Sequence, residues 1–168
     1  MYVPWYAITS GRANRLELWY TTHVHKPFYA SGFLYHSPSQ QILLQQLTNG
    51  EETKLSLFRT KSHRGNDPKA VFQQCIEQAL GVAIPASSIR PVYDYIHDKL
   101  GEQFIFYVEV SGATPKTYAS KNKAEWFSLS KLSKQAMSEQ TRHDIIIGER
   151  VIRSIFETAN PQPKPKRH

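Results

Sequence analysis

One short span, residues 67–80, constrains the fold of this chain more than any other. Asp67-Pro68 opens it and Gly81 closes it. Aspartate is a strong N-cap, and proline suits a first helical turn where the missing N–H has no partner to lose. Glycine accepts the left-handed geometry that ends a helix. Between these signals Phe72, Cys75, Ile76, Ala79 and Leu80 recur at i, i+3, i+4, i+7 and i+8, the stripe of a helix buried along one side. The spacing predicts a helix over 67–80 that lays this stripe on a sheet. The apolar run Val82-Ala83-Ile84 follows it.

Strand signals flank the helix. Residues 30–35 and 41–46 predict a strand pair joined by the turn Ser37-Pro38-Ser39. Residues 48–52 predict a turn. Residues 92–96 and 104–110 predict two further strands around a turn at 98–101, and the aromatic alternation from Phe104 to Tyr107 is that of a core. A polar loop spans 111–123. Thr141 with Asp144 gives a capping-box spacing, opening a last helix that buries Ile145, Val151, Ile152, Ile155 and Phe156. Strands, a helix, more strands and a final helix predict an α/β (α+β) sandwich with helices on the faces of a mixed β-sheet.

The chain has 168 residues, 40% apolar and 12% aromatic, enough for one domain with a core of its own. No apolar run reaches membrane-spanning length, and Met1-Tyr2-Val3-Pro4-Trp5 has no leader pattern. The single cysteine excludes an internal disulfide and a cysteine metal cluster, so a cytoplasmic protein without membrane contact is expected. His23 and His25 alternate onto one strand face, but no third ligand lies near them for a zinc site. The net charge is +7. Part of it sits in residues 159–168, a proline-rich basic tail expected to be disordered. Arg59, Lys61, His63 and Arg64 cluster just before the helix. A helix N-terminus itself attracts anions, so these four are the expected contacts of a phosphate-containing ligand.

Counted back from Gly81-Val82, residues 60–82 resemble the Nudix box, G-x5-E-x7-R-E-U-x-E-E-x-G-U with U aliphatic. Ile76 takes the aliphatic position and Gly65-Asn66 stands where the family has Gly-Glu. Thr60 falls on the first glycine, Asn66 on the first glutamate, Gln74 on the arginine and Cys75 on the next glutamate. Gln78 and Ala79 replace the glutamate pair, and Glu77 is the acid at a variable position. Residues 30–46 look like the strand pair that opens such a domain, and residues 55–60 sit where the family has an aromatic strand. Glu125-Trp126-Phe127 with Leu132 is similar to the family's late E-x-x-W-F-x-x-x-x-L segment.

The resemblance implies an N-terminal extension over 1–23, a Nudix-type domain over 24–158 and the tail over 159–168. It also implies the family's chemistry, in which helix glutamates hold a divalent metal and a diphosphate linkage is hydrolysed. With those acids replaced, the expectation is a Nudix-fold protein with impaired or absent hydrolysis. It needs no cofactor and binds a nucleotide-type or other phosphate ligand, or a partner; a homodimer fits the family. One alternative is an active hydrolase using Mg²⁺ or Mn²⁺ with carboxylates outside the usual box, such as Glu77, Glu102 or Glu125. The other is a regulatory scaffold that touches nucleic acid through the basic tail.

Overall fold

The computed structural model describes residues 27–62, 65–112 and 123–159. The extension over 1–23, His23, His25, His63, Arg64 and residues 160–168 lie outside them. Among the described residues seven strands form one mixed sheet: β1 (Phe28–His36), β2 (Gln41–Asn49), β3 (Glu52–Ser56), β4 (Phe58–Ser62), β5 (Ile89–His97), β6 (Gly101–Val110) and β7 (Ala124–Ser128). Helix α1 (Pro68–Leu80) packs on one face and α2 (Glu139–Ala159) on the other. No helix among the described residues is long and apolar enough to cross a membrane.

The sheet has a forked centre. β1 and β2 pair only beside their turn, Leu34–His36 against Gln41–Leu43, and then part. β3 runs along the distal half of β2, and β4 along the proximal half of β1. At Gln45 the strand β2 is paired with β7 on one edge and β3 on the other, which places β3 inside the fork. The single strand expected over 55–60 is therefore two, divided at Leu57. Local propensity cannot show this break, because it comes from a change of partner. β1 meets β6 in parallel along its whole length, and β5 closes that side antiparallel to β6, with a register shift between Pro91 and Tyr93.

Side-chain alternation sorts the core into two layers. Phe28, Ala30, Leu34, Phe58, Phe106 and Val108 face α1, where Phe72, Ile76 and Leu80 meet them. Phe33, Tyr35, Ile105 and Tyr107 face α2, where Ile145 and Ile152 meet them. Asp67 caps α1 as expected, its side chain accepting from the Ala70 N–H, and Gly81 ends the helix at φ 68°, ψ 28°. Cys75 and Ala79 sit at the flanks of the stripe and are half-buried.

α2 corrects the sequence reading at both ends. It starts at Glu139, and Ser138 is the cap, its hydroxyl accepting from the Thr141 N–H at 3.1 Å. Asp144 is turned inward and buried. Ile155 and Phe156 are 44% and 37% exposed rather than buried, because the last turns lie at the rim of the sheet, where Tyr35 meets Phe156.

α1 is fixed to the sheet at one crowded point. The Phe72 ring stacks on Phe106 with centroids 5.4 Å apart, directly above Gly32. A Cβ at position 32 would lie 2.5 Å from Phe72 Cζ and 2.2 Å from the backbone oxygen of Phe106. Gly32→Ala is accordingly expected to destabilise the protein by at least the ~1–3 kcal/mol of an overpacked core. Urea unfolding measures it, and an unchanged midpoint would contradict this contact.

Candidate functional site

Two groups of polar side chains lie on opposite faces of the sheet. On the α1 face a cleft of ≈ 210 Å³ opens between β4 and the helix. It is lined by Thr60, Lys61, Ser62, Asn66, Val71, Gln74, Cys75 and Gln78. Helical periodicity produces one wall, since Val71, Gln74, Cys75 and Gln78 share a side of α1. Asn66 is held in place by donating its amide N–H to Ser62 Oγ at 3.2 Å. Burial pushes the Cys75 thiol up, so it is a poor nucleophile.

The fold thus gathers Thr60, Asn66, Gln74, Cys75 and Gln78 around one cleft. Glu77 is not among the lining residues. Its carboxylate accepts from the Ile84 N–H at 2.8 Å and from Gln73 Nε2 at 3.3 Å, tying the chain after the helix back onto it. Glu125 is in register with Leu44, which belongs to the α2-side core, and it accepts from Gln46 Nε2 at 2.6 Å. Glu102 is in register with Phe28 at the start of β6. These donors do not fit a divalent metal. Hydroxyls, carboxamides and a thiol line the cleft, whereas Mg²⁺ demands hard, mostly anionic oxygens. Among the described residues no three of His, Cys, Asp and Glu stand together as an ion site.

Strand alternation puts both described basic residues before the helix, Arg59 and Lys61, on the α2 face. β4 alternation puts Arg59 opposite Ser31 on the α2 face, away from Thr60. Its guanidinium lies over the Tyr29 ring, 4.1 Å from the centroid, and donates to Gln103 Oε1 at 2.7 Å. Gln103 is buried, and its amide nitrogen donates to the Gly101 and Glu102 carbonyls, so the acceptor is held in one orientation. Lys61 stands opposite Tyr29 and also borders the cleft. His63 and Arg64 lie outside the described residues.

The sequence reading missed the rest of this face. Tyr95, Gln103, Tyr29 and Lys61 form a row across β5, β6, β1 and β4. Tyr95 stacks on Tyr93 with centroids 5.4 Å apart. The Tyr93 hydroxyl donates to Asp144 in the first turns of α2, and His143 meets the Tyr93 ring edge-on. Period-two tyrosines at 93 and 95 were the available signal, but their partners lie some fifty residues away in sequence. Burial pushes the Asp144 carboxyl up, opposed by hydrogen bonds from Tyr93 and Gln140. Burial, then the nearby Asp144, raises the Tyr93 hydroxyl.

A carboxyl whose folded value is raised binds its proton more tightly in the fold. Its contribution to stability is present at low pH and is lost as pH rises from the unfolded carboxylate range through the folded value. The Tyr93 bond moderates that loss. Tyr93→Phe is expected to cost about 1–3 kcal/mol at pH 7, and less at pH 4, where more of Asp144 carries its proton than at pH 7. Asp144→Asn retains an acceptor and should flatten the pH dependence. Urea unfolding at the two pH values checks both variants, and an equal Tyr93→Phe loss at each would remove the carboxylate from the account.

No family model matches the sequence, and no curated protein matches it. Solved structures do match. A mutT/nudix family protein from Listeria innocua superposes with TM-score 0.58 at 15% identity, covering 78% of this chain and 94% of that one. The C-terminal domain of mouse MUTYH, solved in complex with human PCNA, gives TM-score 0.58 at 15% identity, covering 82% and 99%. An ADP compounds hydrolase gives 0.57 at 7% identity, covering 77% and 74%. At these identities the likeness shows the fold: this chain has the Nudix fold.

Proposed function

We propose that this Nudix-fold chain is a binding protein that holds a nucleotide-type ligand without metal-dependent hydrolysis. The observation that carries the reading is the chemistry of the α1 cleft. Asn66, Gln74, Cys75 and Gln78 stand around it, and the one acid of the helix, Glu77, is committed to the Ile84 N–H. A cleft built this way has no group to hold the metal that would neutralise developing charge and activate water.

The α2 face supports the ligand class. Stacked Tyr93 and Tyr95 offer rings to a base, and Arg59 beside Tyr29 offers a fixed guanidinium to a phosphate. Lys61, opposite Tyr29, supplies further charge, and His63 and Arg64 follow it closely in the sequence. The ADP compounds hydrolase is, by its name, an enzyme of ADP compounds, which favours the nucleotide class among phosphate ligands. The basic tail would add a salt-sensitive affinity for nucleic acid.

Two measurements test the reading. Hydrolysis of ADP-ribose, dinucleoside polyphosphates, NADH and nucleoside triphosphates should stay near background with Mg²⁺ or Mn²⁺. Robust turnover abolished by Glu77→Gln would establish a working hydrolase instead. In calorimetric titration with ADP-ribose and ADP, Arg59→Ala and Arg64→Ala should each weaken binding roughly ten- to a hundredfold, the loss of one charge-assisted hydrogen bond. Wild-type binding that neither substitution changes would move the ligand elsewhere.

A further inference from the structure

We infer that the α1 cleft is itself a binding site, for the uncharged, planar edge of an adenine-type nucleobase. The inference rests on the reading that no metal-bound diphosphate occupies this cleft. It concerns a different face of the sheet from Arg59, Tyr93 and Tyr95.

Three features of the cleft point to such a ligand. Its polar lining is almost wholly neutral: two hydroxyls, from Thr60 and Ser62, and three carboxamides, from Asn66, Gln74 and Gln78, with Lys61 at the border. A carboxamide offers a donor and an acceptor side by side, which is the pattern on the edge of adenine and the reason Asn and Gln pair with it bidentately. Neutral amides bind a diphosphate poorly, since they carry no charge to set against it.

The arrangement is the second feature. Gln74 and Gln78 are four residues apart, about 6 Å along the helix axis, and both are exposed at the opening. Between and beside them Val71 and Cys75 present half-buried apolar surface. Polar groups that read an edge, set around an apolar patch that accepts a ring face, suit a heterocycle better than a polyol. Asn66 is restrained by its bond to Ser62, which lowers the cost of ordering its amide against a ligand.

Size is the third. Sites for whole drug-sized ligands run from roughly 300 to 1,000 Å³. The ≈ 210 Å³ here is too small for a complete nucleotide and fits one heterocycle.

Cys75 is the only cysteine of the chain and lines the cleft, so its thiol reports on this site alone. The experiment is the rate of Cys75 alkylation by N-ethylmaleimide in the full chain, in EDTA, with increasing adenosine. Adenosine should slow alkylation in a saturable way. Gln74→Ala with Gln78→Ala should raise the half-protecting concentration about tenfold, the loss of two ordinary hydrogen bonds. Arg59→Ala should leave protection unchanged while weakening ADP-ribose binding by calorimetry, so a failure of the α2-face ligand and a failure of this site are read separately. Absence of protection by adenosine, equal protection by ribose alone, protection that needs Mg²⁺, or protection indifferent to both glutamine substitutions would each overturn the inference.

Discussion

The architecture turns on the contact of Phe72 and Phe106 above Gly32. The missing Cβ at Gly32 lets the thirteen-residue helix lie close against the parallel β1–β6 pair. The absent side chain at position 32 lets the ring sink to the backbone, and the stacked pair then fixes the helix in both translation and rotation. Everything on the outer side of α1 inherits its place from that contact. Gln74 and Gln78 face β4 because Phe72 and Ile76 face the core. Glu77, pointing the other way, has the Ile84 N–H within reach.

The forked centre of the sheet does comparable work for the opposite face. Because β3 and β4 enter between β1 and β2, β4 becomes an interior neighbour of β1. Its alternate residues are thereby delivered to two different layers. Arg59 goes to the tyrosine face and is held there by Gln103, while Thr60 goes to the helix cleft. Adjacent residues in one short strand thus serve two chemically unlike surfaces, one aromatic and cationic, the other neutral and rich in amides.

Features with local causes were legible in the sequence. The cap at Asp67, the stop at Gly81 and the stripe through Phe72, Ile76 and Leu80 each depend on residues within one or two turns. So do the paired strands and the terminal helix. What was not legible depends on partners distant in the chain. The break at Leu57 reflects a switch from β2 to β1. Asp144 looked like a capping residue, yet it belongs to Tyr93, fifty-one residues earlier, and Ser138 does the capping. The basic run from Arg59 to Arg64 reads as one patch in sequence, and only strand alternation against β1 separates Arg59 from Thr60. Exposure of Ile155 and Phe156 follows from where the sheet ends, which helical periodicity does not encode.

The division at Leu57 has an implication for how such a chain changes over time. Facing in a strand depends on the parity of residue count, so one residue gained or lost at that node would leave β3 in register with β2 and invert β4. Arg59 and Lys61 would exchange sides with Thr60 and Ser62. The helix cleft would become cationic and the tyrosine face neutral, with no substitution anywhere. Strands that change partners midway are thus places where a single indel can swap the chemistries of two surfaces, a route between ligand classes that stepwise replacement of side chains would reach only through many intermediates.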